Sequence, residues 1–175
     1  DTGDSNGSVG DLKSAKLQQW NGSSWDTMGT TYYRYYTSGT LPGFVHGLKY
    51  IVSQEAYARM VAAGITPETA TDIQVGTYAD FYYEYDASKR VVKEKIRGGL
   101  MTYQYAYSQS AFGDGYNNWK TKTTETLPDS NQNIVYTNYA GQIMLKVFNR
   151  VSDSAKWYEY YLYDSIGLVT QRGES

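Results

Sequence analysis

Residues 82–92 read YYEYDASKRVV, a stretch in which tyrosines precede a short polar segment and two valines. Tyr83 and Tyr85 are two positions apart, so on a β-strand they lie on the same face. Asp86 follows them, and a short polar segment then separates it from Val91 at the start of a second apolar run. An Asp at this position accepts hydrogen bonds from the N–H groups of the turn that it begins. The pattern predicts two strands joined by a short turn.

The same pattern recurs along the chain. Two further copies are YLYDSIGLV at residues 161–169 and YRYYTSGTL at residues 33–41, where Tyr36 takes the place of Asp. A looser copy is VYTNYAGQI at residues 135–143, and residues 103–107, YQYAY, repeat the tyrosines without the turn. Because a single hairpin leaves an unpaired edge, we expect these hairpins to lie side by side in a long sheet.

The repeat makes two specific predictions about position. Gly39 and Gly167 fit a turn position with a positive φ angle, which glycine adopts without strain. The tyrosine pairs of the three clearest copies should occupy equivalent places on successive hairpins, namely Tyr33 with Tyr35, Tyr83 with Tyr85, and Tyr161 with Tyr163.

Composition agrees with a mainly β protein. The chain has 175 residues, the size of one ordinary domain, and 20 of them are tyrosine, a residue enriched in strands. It has no cysteine, which excludes disulfides and thiolate metal sites. The formal net charge is −2 without a stripe of Lys or Arg, so we expect no nucleic-acid partner. No apolar run reaches the roughly 20 residues that span a bilayer, so we expect no membrane span.

One segment departs from strand periodicity. Ser53 is a suitable helix N-cap, Ala56, Met60 and Val61 follow at helical spacing, and Gly64 is a suitable stop. Residues 66–68, Thr-Pro-Glu, predict that a second helix restarts there and fades near residues 75–76. We therefore expect a flexible linker over residues 1–11 and a single β-rich domain over residues 12–175. That domain is an antiparallel meander of hairpins with a short helical hairpin inserted at about residues 53–76.

Several exposed aromatic side chains are candidates for ligand binding. A turn signal at residues 21–24 separates Trp20 from Trp25, which makes this pair either a hairpin staple or a stacking platform. Residues 113–120 place two aromatics, two amides and a lysine after a Gly-Asp-Gly turn, at the rim of a loop. Sugars stack on aromatic rings and bond amides and carboxylates through their hydroxyls. The candidate ligand-binding residues are Trp119, Tyr116, Trp25, Asn118 and Trp157, and burial of these rings in a core is the alternative.

The tyrosine–aspartate turns resemble the RHS or YD-repeat proteins, whose core pattern is Tyr-Asp-x-x-Gly-Arg-Leu/Val. Residues 85–91 match it except for Lys89 in the glycine place, and residues 163–169 match it except for Leu168 in the arginine place. Residues 125–147 also resemble the large YD-repeat proteins of planctomycete-type bacteria. The resemblance covers residues 31–172, with copies that are unevenly spaced.

The resemblance implies a segment of a large bacterial protein that is extracellular or located at the cell surface. Repeats of this family form a spiralling β-sheet, sometimes a shell around a toxin, and carbohydrate binding has been proposed for them. The implied partners are a polysaccharide or glycan and the flanking repeats of the same parent chain.

Signs of catalysis are weak, and whether the chain is an enzyme stays uncertain, with the sequence leaning against it. The single histidine, His46, has apolar or glycine neighbours, and such a residue is more often structural than a metal ligand. Asp80, Glu84 and Asp86 could form a carboxylate pair for glycoside hydrolysis, or Glu84 could pair across strands while Asp86 serves the turn. We expect no cofactor and no metal. The leading hypothesis is a non-catalytic carbohydrate-binding module, followed by a structural shell or adhesin segment without a small ligand, and then by a carbohydrate-active enzyme.

Overall fold

The computed structural model describes residues 3–175, which divide into two compact units. The first unit ends at Thr102 and contains β1 (Ser14–Trp20), β2 (Trp25–Tyr35), β3 (Leu48–Val52), α1 (Gln54–Ala62), α2 (Asp72–Tyr78), β4 (Phe81–Tyr85), β5 (Val91–Ile96) and a single 3₁₀ turn, Arg97–Gly99. The second unit, from Tyr103 onward, contains most of β6 (Met101–Gln109), then β7 (Thr121–Thr126), β8 (Gln132–Thr137), β9 (Ile143–Arg150), β10 (Ala155–Tyr163) and β11 (Val169–Glu174).

The strands form an antiparallel meander, which confirms the predicted fold class. Within each unit every strand pairs antiparallel with the strand that follows it in the chain. Most connections are short turns, but residues 36–47 between β2 and β3 and residues 110–120 between β6 and β7 form longer loops, and β3 reaches β4 through the two helices. Residues two apart on a strand face the same way, so each unit has two sheet faces that can be followed row by row.

The first unit has a core because its helices cover one face of the sheet. The Ser53 hydroxyl accepts the N–H of Ala56 and caps α1, as the sequence predicts. Ala56 and Met60 of the helical spacing are buried, whereas Val61 is 53% exposed. The side chains that pack between helices and sheet are Tyr32, Tyr50, Val52, Ala56, Met60, Val75 and Ala79.

The second helix begins later than predicted. Residues 66–70 form turns, in which the Thr66 carbonyl accepts the N–H groups of Thr69 and Ala70. The helix starts at Asp72 because Thr71 and Gln74 form a reciprocal capping box, and it continues to Tyr78. The Arg34 guanidinium bonds the carbonyls of the preceding turn and the carboxylate of Asp72, so a residue of β2 fixes where the helix begins.

Three of the predicted turns share one geometry. At each, the side-chain oxygen of the polar residue accepts the N–H groups two and four positions later, as Asp86 does from Ser88 and Arg90. Asp164 and Asn138 repeat both contacts. The residue three positions after the polar one has a positive φ angle in each copy: Lys89 (62°), Gly141 (78°) and Gly167 (84°).

The copy at residues 33–41 was aligned wrongly at its turn. Gly39 does not have a positive φ angle, and Leu41 does not open a strand. His46 occupies the positive-φ position instead (71°), and its N–H donates to the Tyr36 carbonyl, as the Lys89 N–H donates to that of Asp86. The turn therefore keeps the frame of the others but carries an insertion between residues 36 and 46.

A β-bulge follows the turn in four hairpins. The register shifts by one residue after Leu48, Val91, Ile143 and Val169, which each open a strand opposite the last residue of the strand before. A bulge re-aims the extra side chain and increases the local twist. The extra residues are Lys49, Val92, Met144 and Thr170.

The described N-terminal residues contact the first unit. The Asn6 carbonyl accepts the N–H of Tyr35, and the Asp11 carboxylate bonds Ser8 N–H and the His46 ring. The flexible linker over residues 1–11 stays a prediction, and its first two residues lie outside the described range. Between residues 3 and 175, no helix is long and apolar enough to cross a membrane.

Candidate functional site

The sheet of the second unit exposes part of both faces, because no helix lies within residues 103–175. On one face two neighbouring rows of side chains cross the strands. The rows are Glu125–Asn133–Phe148–Trp157 and Val135–Lys146–Glu159–Glu174. These eight side chains, together with Arg172, line a groove of about 610 Å³. We call it the Trp157 groove.

Trp157 supplies the aromatic surface of this groove. Its ring is 42% exposed, and its centroid lies 5.6 Å from that of Phe148 on the neighbouring strand. The Arg150 guanidinium lies 5.1 Å from the centroid of the Trp157 ring. Asp153 accepts two hydrogen bonds from this guanidinium and so holds Arg150 over the ring. Trp157 is therefore contacted by Phe148 and Arg150 while part of its ring stays open to solvent.

Charged side chains form the polar side of the groove. Glu159 accepts hydrogen bonds from the Tyr161 hydroxyl (2.6 Å), Lys146 Nζ (2.9 Å) and Arg172 Nη2 (2.7 Å). These contacts, led by that of Tyr161, lower the pKa of Glu159 to about 2. Arg172 also pairs with Glu174. The carboxylate is thus ionised at any ordinary pH and fully engaged in positioning its neighbours.

The groove has little net charge. Its lining carries three carboxylates, of Glu125, Glu159 and Glu174, and two cations, of Lys146 and Arg172. The Asn133 amide donates to Glu125 (2.7 Å), which leaves its carbonyl oxygen to accept a bond. A neutral ligand with several hydroxyl groups matches this mixture better than a polyanion does, since a polyanion meets an excess of carboxylates.

Trp119 lies on the other face of the sheet. It makes edge-to-face contacts with Phe112 (6.2 Å between centroids) and Tyr136 (5.5 Å), and it is half-buried. It lines a shallow cavity of about 400 Å³ whose other walls are almost entirely apolar or aromatic, formed by Tyr136, Met144, Leu145, Tyr160, Tyr161 and Leu162. The structure therefore does not bring Trp119 and Trp157 into one site.

Tyr116 and Asn118 belong to the loop between β6 and β7. The Tyr116 ring packs over Gly167, where an added Cβ would lie 2.7 Å from it, and also contacts Tyr139 (5.3 Å). Asn118 Nδ2 donates to the Gly113 carbonyl (3.1 Å) within the loop. Asn117, between them, bonds both the N–H and the carbonyl of Tyr163. These contacts dock the loop on the repeat turns.

Trp25 lies in the first unit, at the turn that the sequence predicts. It pairs directly with Trp20 across the strands, with ring centroids 5.4 Å apart, and remains 62% exposed. Asn21 closes the four-residue loop by accepting the N–H groups of Ser23 and Ser24. The pair is placed as the hairpin staple requires, and its outer surface is also open to a ligand.

The carboxylates considered for hydrolysis each have a separate contact. Glu84 pairs with Lys93 on the facing strand (2.8 Å), Asp86 holds its turn and Arg90, and Asp80 accepts the N–H of Ser53 (2.7 Å). The hydrogen bonds of the turn and of Arg90 lower the pKa of Asp86. Cross-strand pairing and turn support therefore describe these residues better than a carboxylate pair.

Sequence reasoning missed most of the Trp157 groove. Trp157, Glu159 and Tyr161 alternate along β10, and Lys146 and Phe148 alternate along β9, so the period of two was a usable signal for shared faces. It does not give the register that sets these strands opposite each other.

Neither a metal cluster nor a relative identifies the site. Over residues 3–175, no group of three His, Cys, Asp or Glu side chains is placed to hold a metal ion. No protein-family model matches the chain, and neither the curated proteins nor the solved structures contain a match.

Proposed function

We propose that the chain is a non-catalytic glycan-binding segment of an extracellular or cell-surface protein of the YD-repeat type. The observation that carries this proposal is the Trp157 groove, where a part-exposed Trp ring stands beside carboxylates, an amide and cations. An aromatic ring with an apolar face and polar neighbours is the arrangement that a pyranose ring needs, since its C–H face is apolar and its rim carries hydroxyls.

The near-balanced charge of the groove favours a neutral glycan. Sugar hydroxyls can donate hydrogen bonds to Glu125, Glu174 and the Asn133 carbonyl. Their oxygens can accept hydrogen bonds from Lys146 and Arg172. The volume of about 610 Å³ lies within the range of small-ligand sites. The open shape suits a chain of sugars that continues beyond the groove.

Binding to neutral polysaccharides, measured by affinity electrophoresis and then by calorimetry with oligosaccharides, tests the proposal. We expect Trp157→Ala to weaken binding by about 1 to 3 kcal/mol, taking base–aromatic stacking as the measured analogue. Tyr160→Ala is the matched control, because it removes a ring of similar exposure from the other face of the same strand. Equal binding by wild type and Trp157→Ala, at equal melting temperature, would reject the groove.

Trp119→Ala and Trp25→Ala test the two other tryptophans in the same assay. Trp119 packs between two rings, so its loss should lower the melting temperature more than it changes glycan affinity. Trp25→Ala should change the melting temperature and the glycan affinity only slightly, because its ring contacts Trp20 within one hairpin. If only Trp119→Ala loses glycan binding, the binding site lies instead at the cavity that Trp119 lines on the other sheet face.

A structural shell or adhesin segment is the second candidate, and β11 is the observation that favours it. Among residues 3–175 this strand pairs only with β10, and nearly all of its six residues are exposed, including Val169. An open strand edge is a template for a further strand. If no glycan binds, and if Val169→Lys abolishes a self-association seen by sedimentation, the structural role replaces the glycan-binding one.

A further inference from the structure

The first unit contains a second, unrelated cavity of about 280 Å³ on the helix-covered side of its sheet. Its floor is a row of side chains that crosses three strands: Tyr50, Tyr82 and Lys95 are successive cross-strand partners, and Arg34 continues the row outside the cavity. The Tyr50 and Tyr82 rings contact each other with centroids 4.9 Å apart. Residues of α2 and of the 3₁₀ turn complete the wall, among them Asp72, Gly76, Thr77, Gly98 and Gly99.

Tyr50 presents an unpartnered hydroxyl to this cavity. The residue is only 8% exposed, and its hydroxyl forms no hydrogen bond with any of residues 3–175. The hydroxyl lies beside Gly76, where an added Cβ would be 3.3 Å from it. By contrast, Tyr82 donates to Glu84 (3.1 Å), so its hydroxyl is already used. The Tyr50 ring belongs to the core while its hydroxyl stays accessible from the cavity, which makes Tyr50 the donor that a ligand there would meet.

The charges around the cavity are mainly positive. Lys95 lies over the Tyr82 ring (5.5 Å) and has no carboxylate partner within the described chain. Asp72 is the one carboxylate in the lining, and both Arg34 and Lys49 pair with it. Lys49 reaches it because it is the extra residue of the β3 bulge. Of these cations only Lys95 lines the cavity, while Arg34 and Lys49 bond Asp72 from outside the lining. The nearby Glu84 carboxylate is balanced by Lys93, so the net charge around the cavity is positive and favours an anion.

Three glycines line the cavity beside the Tyr50 hydroxyl. Gly76, Gly98 and Gly99 line the cavity, and the two last have positive φ angles of 67° and 94°. A Cβ at Gly98 would lie 2.3 Å from the Thr77 carbonyl oxygen, so a side chain there cannot be accommodated without displacing backbone. Gly76 keeps the space beside the Tyr50 hydroxyl free, and Gly98 lets the 3₁₀ turn approach the end of α2.

We propose that this cavity binds a small oxyanion, a phosphate or a carboxylate group, which accepts a hydrogen bond from the Tyr50 hydroxyl and is neutralised by Lys95. Tyr50 stays protonated as a donor, since burial and the nearby Asp72 raise its pKa. Phosphate and carboxylate groups both carry negatively charged oxygen acceptors, which the Tyr50 hydroxyl and Lys95 would bind.

The test titrates the intact chain with inorganic phosphate and, separately, with glucuronate, each against chloride at matched ionic strength. Amide resonances of Gly76, Gly98 and Gly99 should shift saturably with the anion that binds. A response to phosphate alone assigns the site to phosphate groups, and a response to glucuronate alone assigns it to carboxylates. No saturable shift with either anion in the millimolar range overturns the proposal.

Conservative variants separate binding from folding. Tyr50→Phe removes a hydroxyl without a partner, so it should fold like the wild type and bind the anion about tenfold more weakly. Lys95→Gln should weaken binding by a similar factor and flatten its salt dependence. Gly76→Ala should raise helix stability and still reduce binding, because its Cβ crowds the Tyr50 hydroxyl.

Matched controls lie on the same hairpin. Tyr83→Phe changes a tyrosine on the opposite sheet face, and Lys89→Gln changes a lysine at the turn, over the Phe44 ring. Both should bind the anion as the wild type does. Binding that falls equally in Tyr50→Phe and Tyr83→Phe, or that survives in both Tyr50→Phe and Lys95→Gln, would place the anion elsewhere.

Discussion

The Tyr85 hydroxyl donates a hydrogen bond to the backbone carbonyl of Leu48 (2.8 Å), which opens the neighbouring strand β3. The same contact recurs in the second unit, where the Tyr163 hydroxyl donates to the carbonyl of Ile143, the first residue of β9 (2.5 Å). In both cases the tyrosine ends one strand and its partner begins the strand before it. The contact gives the tyrosine hydroxyl before the Asp a structural role in these two copies, whereas the Tyr35 hydroxyl bonds the Leu12 carbonyl instead.

We therefore expect Tyr85→Phe and Tyr163→Phe to lower the free energy of unfolding by about 1 kcal/mol each, the net value of one hydrogen bond. Urea unfolding followed by circular dichroism measures this. Tyr158→Phe is the control, since the Tyr158 hydroxyl has no hydrogen bond within the described chain. Losses of similar size in all three variants would show that the Leu48 and Ile143 contacts are unimportant.

The positive-φ turn positions should respond in opposite directions to glycine and alanine. Lys89→Gly should stabilise the first unit by about 0.5 to 1 kcal/mol, because Lys is strained at a φ angle of 62°. Gly141→Ala should destabilise the second unit by about 1 kcal/mol for the same reason.

Gly167→Ala should cost more than Gly141→Ala. Its Cβ would meet the Tyr116 ring at 2.7 Å, whereas a Cβ at Gly141 meets nothing within 4 Å. Thermal unfolding of the two alanine variants checks this difference. Equal costs would mean that the Tyr116 ring moves freely away from the turn.

Replacing Arg34 by methionine should destabilise the first unit by about 3 to 5 kcal/mol. Arg34 is only 2% exposed and bonds Asp72, Pro67 and Ala70, so its removal leaves two carbonyls without their donor, while Asp72 keeps Lys49. The double variant Arg34→Met/Asp72→Asn should recover none of the loss, because Asp72 keeps Lys49 as its ion-pair partner in the single variant. A single-variant cost below about 1 kcal/mol would contradict this account of α2.

Alkaline pH should unfold the first unit. Burial raises the pKa of Tyr36 and of Tyr50, and burial together with Glu94 raises that of Tyr83 to about 12. A raised folded pKa means that the unfolded chain releases its protons first. The stabilisation is complete below the unfolded pKa of about 10 and is lost as pH rises toward the folded values.

Absorbance of phenolate at 295 nm, recorded with circular dichroism during a pH titration, measures this effect. Part of the tyrosine signal should appear only together with unfolding, above about pH 11. Tyr83→Phe should move the midpoint upward, since it removes one shifted group. Complete titration of all tyrosines before any loss of structure would contradict the prediction.

Structural features that depend on neighbouring residues could be predicted from the sequence. A carboxylate that accepts the N–H groups two and four residues later contacts only its own neighbours in the chain. Asp86 and Asp164 therefore predicted their turns correctly. The Ser53 cap and the Trp20–Trp25 pair are equally local. The period of two then gave strands and hairpins, and with them the antiparallel meander.

Contacts between distant residues were decided by the tertiary structure. Arg34 sets the start of α2 from 38 positions away, and no pattern around Pro67 reveals that. His46 takes the turn position because the chain closes an insertion after Tyr36. The Trp157 groove depends on the registers of β7 to β11, which place Glu125, Phe148 and Arg172 on one face. Sequence spacing determines which side chains share a face of a strand, but register and bulges determine which strands they meet, because backbone pairing and burial select these only when the sheet assembles.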